Sequence, residues 1–165
     1  MSAVSFIKEK CFQLYNSIVH EQATPEFTAR GWAIGMFCGC FLPFGIQLIF
    51  SIPAAFLLRG SKVGATLGTF ITNHFTIFVI YPLQCYAGAL ITGRNLSYET
   101  IKTAMTEVVQ KQNFETLFGL GVDITIAFFT GGFLLAAVMT PITYFAIKRV
   151  VNKYRKLQID KKQST

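Results

Sequence analysis

The residues best placed to do chemistry sit inside apolar sequence. Trp32 to Leu58 is an uncharged run of 27 residues, interrupted by Leu42-Pro43-Phe44-Gly45-Ile46-Gln47. Pro removes a backbone donor and clashes with the preceding helical turn, and Gly permits a sharp change of direction. A helix broken in hydrocarbon leaves N–H and C=O groups unpaired, each costing several kcal/mol unless protein or water satisfies it. A half-helix restarting near Gly45 would aim its N-terminal N–H groups and positive dipole end at the gap, a ready site for an anion. Gln47 would add a side-chain donor.

A second uncharged run, 29 residues from Val63 to Ile91, carries Thr66, Thr69, Asn73 and Thr76 at i, i+3, i+7 and i+10. On a continuous helix these form one polar stripe, which in lipid must face protein or water. Arg30 and Arg59 bracket the first run. If that run turns back on itself, their guanidinium groups lie close enough to receive a phosphate between them. The candidate substrate-binding set is therefore Arg30, Pro43, Gly45, Gln47, Arg59, Thr69, Asn73 and Thr76. Asp123 lies near one end of its apolar segment and suits a pairing with Arg94. His74 reads as a hydrogen-bonding neighbour before it reads as a proton relay.

Catalytic chemistry finds no support. There is no Ser-His-acid set, no paired carboxylate within the apolar runs, and no phosphate-loop motif. Cys38 and Cys40 are two apart, so on a helix they do not share a face, and no His or acid completes a metal site near them. The cysteines read as small buried hydrophobes, and no cofactor or metal is expected.

These residues need elements to hold them, and the composition says which kind. Of the 165 residues, 52% are hydrophobic and only 14% charged, with 17 Phe. That is too little charge to cover a soluble domain, for which about 25% is usual. The expectation is an all-α, polytopic integral membrane bundle with Pro/Gly-broken segments. Residues 1–24 read as an amphipathic cytoplasmic or interfacial helix, with Val4, Ile7, Cys11, Leu14 and Ile18 on one face. Thr24-Pro25 reads as a helix start, with Thr as N-cap and Pro first. Residues 25–147 form the membrane domain, with segments 32–58, 63–91 and 117–147 and a polar loop at 93–115, part of it a surface helix. Residues 148–165 form a basic tail carrying seven of the fifteen Lys and Arg residues. Its position against a long apolar run makes it a topology signal rather than a nucleic-acid patch.

Sidedness follows from charge. Segment 32–58 could cross once as a broken helix, which would part the basic tail from Lys8, Lys10 and Arg30; the positive-inside rule favours instead a re-entrant hairpin or two tilted crossings. Both put the N- and C-termini in the cytoplasm and loop 93–115 outside. Gly31, Gly35 and Gly39 form a small-residue stripe, and Gly64 and Gly68 another, both suited to close helix packing. Gly31, Gly35 and Phe37 recur as Gly64, Gly68 and Phe70 at a constant offset of 33. Such an echo points toward duplicated broken segments.

The stretch 27–93 resembles the bacterial membrane family known as domain of unknown function 2062. The resemblance rests on Ala33-Ile34-Gly35-Met36-Phe37, Leu42-Pro43-Phe44-Gly45-Ile46-Gln47, Ala54-Ala55-Phe56-Leu57-Leu58-Arg59-Gly60 and Gly68-Thr69-Phe70-Ile71-Thr72-Asn73. The family pattern continues Asn-Pro, then Thr. Here His74 stands in place of Pro, so the resemblance does not by itself require a helix break at 74. It implies a bacterial inner-membrane protein without a settled activity. The expected function is a small transporter or translocase of a small or lipid-linked anionic substrate, with a membrane scaffold as the rival. Membrane lipid, anionic lipid included, and further copies of the chain are the expected partners. Nucleic acid is not.

Overall fold

The computed structural model describes residues 24–73, 76–111, 119 and 121–163. The amphipathic stretch 4–19, His74 and the chain just before the last helix lie outside them. The described residues form helices without strands: α1 Pro25–Phe41, α2 Gln47–Leu57, α3 Lys62–Thr69, α4 Ile77–Thr92, α5 Tyr98–Lys111 and α6 Val122–Gln163.

Helix α1 starts as its sequence dictates. Thr24 caps it, its Oγ1 accepting from the Phe27 N–H at 3.3 Å, and Pro25 opens the first turn. It ends at Leu42, whose extended backbone (φ −97°, ψ 146°) is the conformation forced on a residue before proline. Gly45 takes a positive φ of 103°, and the chain turns into α2. Helix α2 runs back to the end where α1 began. Arg30 Nη1 donates to the Leu58 carbonyl at 3.4 Å, and the Ser61 N–H donates to the Phe27 carbonyl at 3.0 Å.

The α2 terminus is closed by a 2.7 Å bond from the Gly60 N–H to the Ala55 carbonyl, with Arg59 in the left-handed conformation (φ 50°). Helix α4 ends the same way. The Arg94 N–H reaches the Ala89 carbonyl at 3.0 Å, but there Gly93 holds the left-handed position (φ 67°). Both are Schellman-type closures.

Helix α3, capped by Ser61 Oγ on the Gly64 N–H at 3.0 Å, lies along α1. A Cβ at Gly31 would strike the Ser61 backbone, one at Gly35 the Ala65 carbonyl, and one at Gly68 the Trp32 carbonyl. The two glycine stripes face each other. The offset of 33 in the sequence is thus the register of two packed helices, whatever its origin. A second close crossing joins α4 to α6, where Gly88 meets the Ala127 backbone and Gly131 meets that of Gln84.

Helix α6 runs beside α4 first and α1 afterwards. At one end of the bundle Arg94 and Asp123 form an ion pair. At the other, Lys148 Nζ reaches Glu26 Oε1 at 3.1 Å. Helix α5 is not merely a surface helix in the polar loop. Its Ile101, Ala104, Met105 and Val108 are buried in one core with Tyr81, Cys85, Ala89 and Phe128. Many large apolar side chains face outward, among them Phe50, Phe56, Leu57, Phe78, Val79, Leu83, Leu90, Phe133, Val138 and Phe145. Among the described residues, one helix is long and apolar enough to cross a membrane: α6, over Val122–Leu157. Helices α2 and α4 are apolar but shorter.

Candidate functional site

Two helix breaks meet inside the bundle. The first is the α1–α2 turn around Pro43. The second separates α3 from α4, although His74 stands where the family pattern has proline. Thr66, Thr69, Asn73 and Thr76 therefore do not share one continuous helical stripe, as their spacing predicts. The chain leaves the helix after Thr69, and that changes the direction of every later side chain.

At the second break Asn73 and Thr76 bond each other twice. The Thr76 N–H donates to Asn73 Oδ1 at 3.0 Å, and the Asn73 N–H donates to Thr76 Oγ1 at 2.9 Å. This is the reciprocal pattern of a capping box, and it restarts the helix without proline. Thr76 Oγ1 donates in turn to the Ile71 carbonyl at 2.7 Å.

Thr72 ties the two breaks together. Its hydroxyl lies 2.9 Å from the Gly39 carbonyl and 3.0 Å from Gln47 Oε1, and its single proton serves one at a time. Gln47 Nε2 donates to the Thr69 carbonyl at 3.4 Å. Gln47, Thr69 and Thr72 are all buried, at 3%, 0% and 0% exposure. Tyr81, on α4, completes the arrangement: its hydroxyl accepts from the Phe44 N–H at 2.6 Å, and its ring meets Phe128 edge-on at 5.0 Å. These contacts meet the demand that a buried break finds hydrogen-bond partners.

The predicted set falls into two groups. Pro43, Gly45, Gln47, Thr69, Asn73 and Thr76 lie at the breaks. Arg30 and Arg59 lie at the open end of the hairpin, about 16 Å away along α1, and both are exposed. Gln47, Asn73 and Thr76 spend hydrogen bonds within the chain, while Gly45 is exposed with nothing within 4 Å of an added Cβ.

Thr72, Tyr81 and Gln84 carry more of the arrangement than their spacing suggests. The signal for Tyr81 is a phenol in an apolar run, whose hydroxyl needs a partner once buried. Gln84, 3% exposed, donates from Nε2 to the Phe128 carbonyl at 3.1 Å, and its Oε1 is buried without a partner.

Two apolar hollows flank this core. The larger, about 820 Å³, runs along α1 from Arg30 to its cap Leu42, with Phe50 and Ala54 of α2, Leu58 at the end of α2 and Thr140 of α6 as its other walls. The smaller, about 310 Å³, lies between α4 and α6 beside Gln84. Cys38, Cys40 and Cys85 are free and buried, and no three His, Cys, Asp or Glu gather as a metal site among the described residues.

Charge marks the two ends of the bundle. Glu26 has its carboxyl held below the ordinary value, first by a backbone hydrogen bond and then by Lys148. The Lys148 ammonium is pushed up, chiefly by its hydrogen bond to Glu26.

No curated protein and no solved structure matches the chain. A family model does match, over residues 11–160, well beyond the 27–93 carried by the sequence motifs. Hairpin, second break and all but the end of the long last helix fall inside that span, and the chain belongs to the family described as uncharacterized protein conserved in bacteria, domain of unknown function 2062.

Proposed function

We propose that the chain is a multi-pass protein of the bacterial inner membrane that translocates a small or lipid-linked anionic substrate. The observation that carries this reading is the pairing of two broken helices inside a bundle whose outer surface is apolar. Broken helices at membrane depth are the architecture transporters use for binding and gating.

The dimensions suit a bilayer. From Asp123 to Lys148, α6 rises about 38 Å, against a hydrocarbon core of ~30 Å. The path α3–break–α4 connects the same two ends. The α1–α2 hairpin leaves and returns to one end, as a re-entrant element would. Arg30, Arg59, Lys62, Lys148 and Arg149 all belong to that end. The positive-inside rule then makes it cytoplasmic, with both termini on that side. The apolar faces of α2 and α6 suit further copies of the chain as well as lipid.

The test is reconstitution of the full chain into vesicles carrying fluorescent phosphatidylglycerol or fluorescent phosphatidylcholine, with an impermeant reductant outside. Faster exposure of the anionic label than in protein-free vesicles supports the reading. Equal rates, with the protein inserted and helical, overturn it.

A second reading, a membrane scaffold, is favoured by one observation: Gln47, Thr72, Asn73 and Thr76 already bond one another or nearby backbone. It expects bulky residues at Gly35 or Gly68 to abolish function while Asn73→Ala costs only stability.

A further inference from the structure

We propose that the groove between α1, α2 and α6 holds one hydrocarbon chain of an anionic membrane phospholipid, with the phosphate at Arg30. The inference rests on the membrane placement above, but not on transport.

The groove has the shape of a chain rather than of a compact ligand. Its α1 wall descends from Arg30 to Leu42, about 18 Å of helix. The α2 wall runs antiparallel beside it, from Leu58 at the Arg30 end to Phe50 at the far end. Its volume of about 820 Å³ is at the upper end of the ~300–1,000 Å³ usual for small-molecule sites. The side chains along it are apolar except at Arg30 and Thr140. A long apolar slot with a guanidinium at one mouth is complementary to a molecule with an alkyl chain and a single anionic end.

The guanidinium at that mouth makes no direct ion pair among the described residues, although Glu26 lies close enough to feel its charge. Arg30 donates from Nε to the Glu26 carbonyl and from Nη1 to the Leu58 carbonyl, both at 3.4 Å, which leaves other guanidinium N–H groups for a phosphate. The Glu26 carboxylate is engaged by Lys148. Among the described residues no carboxylate is within ion-pair distance of Arg30 or Arg59. Arg59 and Lys62 stand at the same end, both exposed. A protein segment filling the groove would have to bring its own anion to this mouth, whereas an anionic phospholipid brings it already attached to the chain.

The experiment is quenching by brominated lipid at equilibrium. Trp32 is the only tryptophan, so Trp32→Phe combined with Phe37→Trp places a single reporter in the groove. The full chain is placed in phosphatidylcholine vesicles containing brominated phosphatidylglycerol or brominated phosphatidylcholine. The anionic lipid is expected to quench at about fivefold lower mole fraction, the advantage of roughly one basic side chain at the surface. Arg30→Gln should bring the two lipids to equality, and Arg30→Lys should keep most of the preference. Equal quenching by both lipids with Arg30 intact overturns the inference, because the groove then takes lipid without reading the headgroup. Quenching by neither overturns it too, because protein then covers the groove. Failure of the translocation assay with this preference intact would remove the transport reading and leave the lipid site standing.

Discussion

Arg59 and Thr72 show how far a residue's role can lie from its chemical type. Arg59 reads as a phosphate receptor, yet it occupies a left-handed position that Gly93 fills in the matching turn after α4. A side chain there costs about 1–2 kcal/mol relative to glycine. Arg59→Gly is therefore expected to stabilise the fold by up to about 1 kcal/mol, after the greater freedom of glycine in the unfolded chain is allowed for. Thermal unfolding in detergent checks this, and a lower midpoint would show that the guanidinium matters more than the backbone. Thr72 drew no attention by its spacing. Its hydroxyl nevertheless faces both the Gly39 carbonyl and Gln47 Oε1. Thr72→Val keeps the shape and removes the one proton these buried acceptors share, so a loss of about 1–3 kcal/mol is expected. Thr72→Ser should recover most of it, since the hydroxyl rather than the methyl makes the link.

At the scale of elements, glycine decides which helices touch. Each of the two close crossings, α1 with α3 and α4 with α6, brings backbone against backbone. A methyl group at Gly35 or Gly88 would meet a carbonyl rather than a flexible side chain. Neither helix can yield by changing a rotamer, so the helices must separate. Gly35→Ala and Gly88→Ala are each expected to cost about 1–3 kcal/mol, although alanine is the better helix former. The two sites lie at different crossings, so their effects should add. Unfolding of the single and double variants in detergent measures both statements. A stabilised Gly35→Ala would mean that α1 and α3 pack less closely than described. The stripe on α1 and α3 was legible because small residues repeat at i and i+4. The α4–α6 crossing was not, because Gly88 is the one glycine within α4 and gains meaning only opposite Gly131.

The whole molecule is pinned at its two ends by ion pairs, and one of these gives a pH signature. Glu26 is depressed, so its contribution is present above its unfolded value and fades as pH falls through the lower folded one. Lys148 is raised, so its contribution is present below its unfolded value and is lost as pH rises through the higher folded one. The latch between α1 and α6 should therefore hold across the neutral range and weaken at both extremes. Glu26→Gln should flatten the acid side of the stability profile, and an unchanged acid limb would show that other carboxylates dominate it. Both groups are partly open to solvent, so raising salt should shrink the effect.

The sequence by itself determined that the chain is helical, that α1 starts at Thr24-Pro25 and that it stops before Pro43. It also made the family legible, because Pro43-Phe44-Gly45-Ile46-Gln47 and its neighbours are local patterns. Proline geometry, capping and small-residue spacing act within a few residues, so they can be read without the fold. The Arg94–Asp123 pair was legible for a related reason: each residue stands at the end of an apolar segment, and few partners were available. The sequence pointed to a second broken segment within 63–91, but only the tertiary structure decided that its break falls between α3 and α4, where no proline marks the place. That break is held by Asn73 with Thr76 and by Thr72 reaching across to Gly39 and Gln47. The folding of α5 along α4, and the groove beneath Arg30, were also decided there. Each depends on which faces meet across long sequence separations, and the pattern of a single segment does not contain that information.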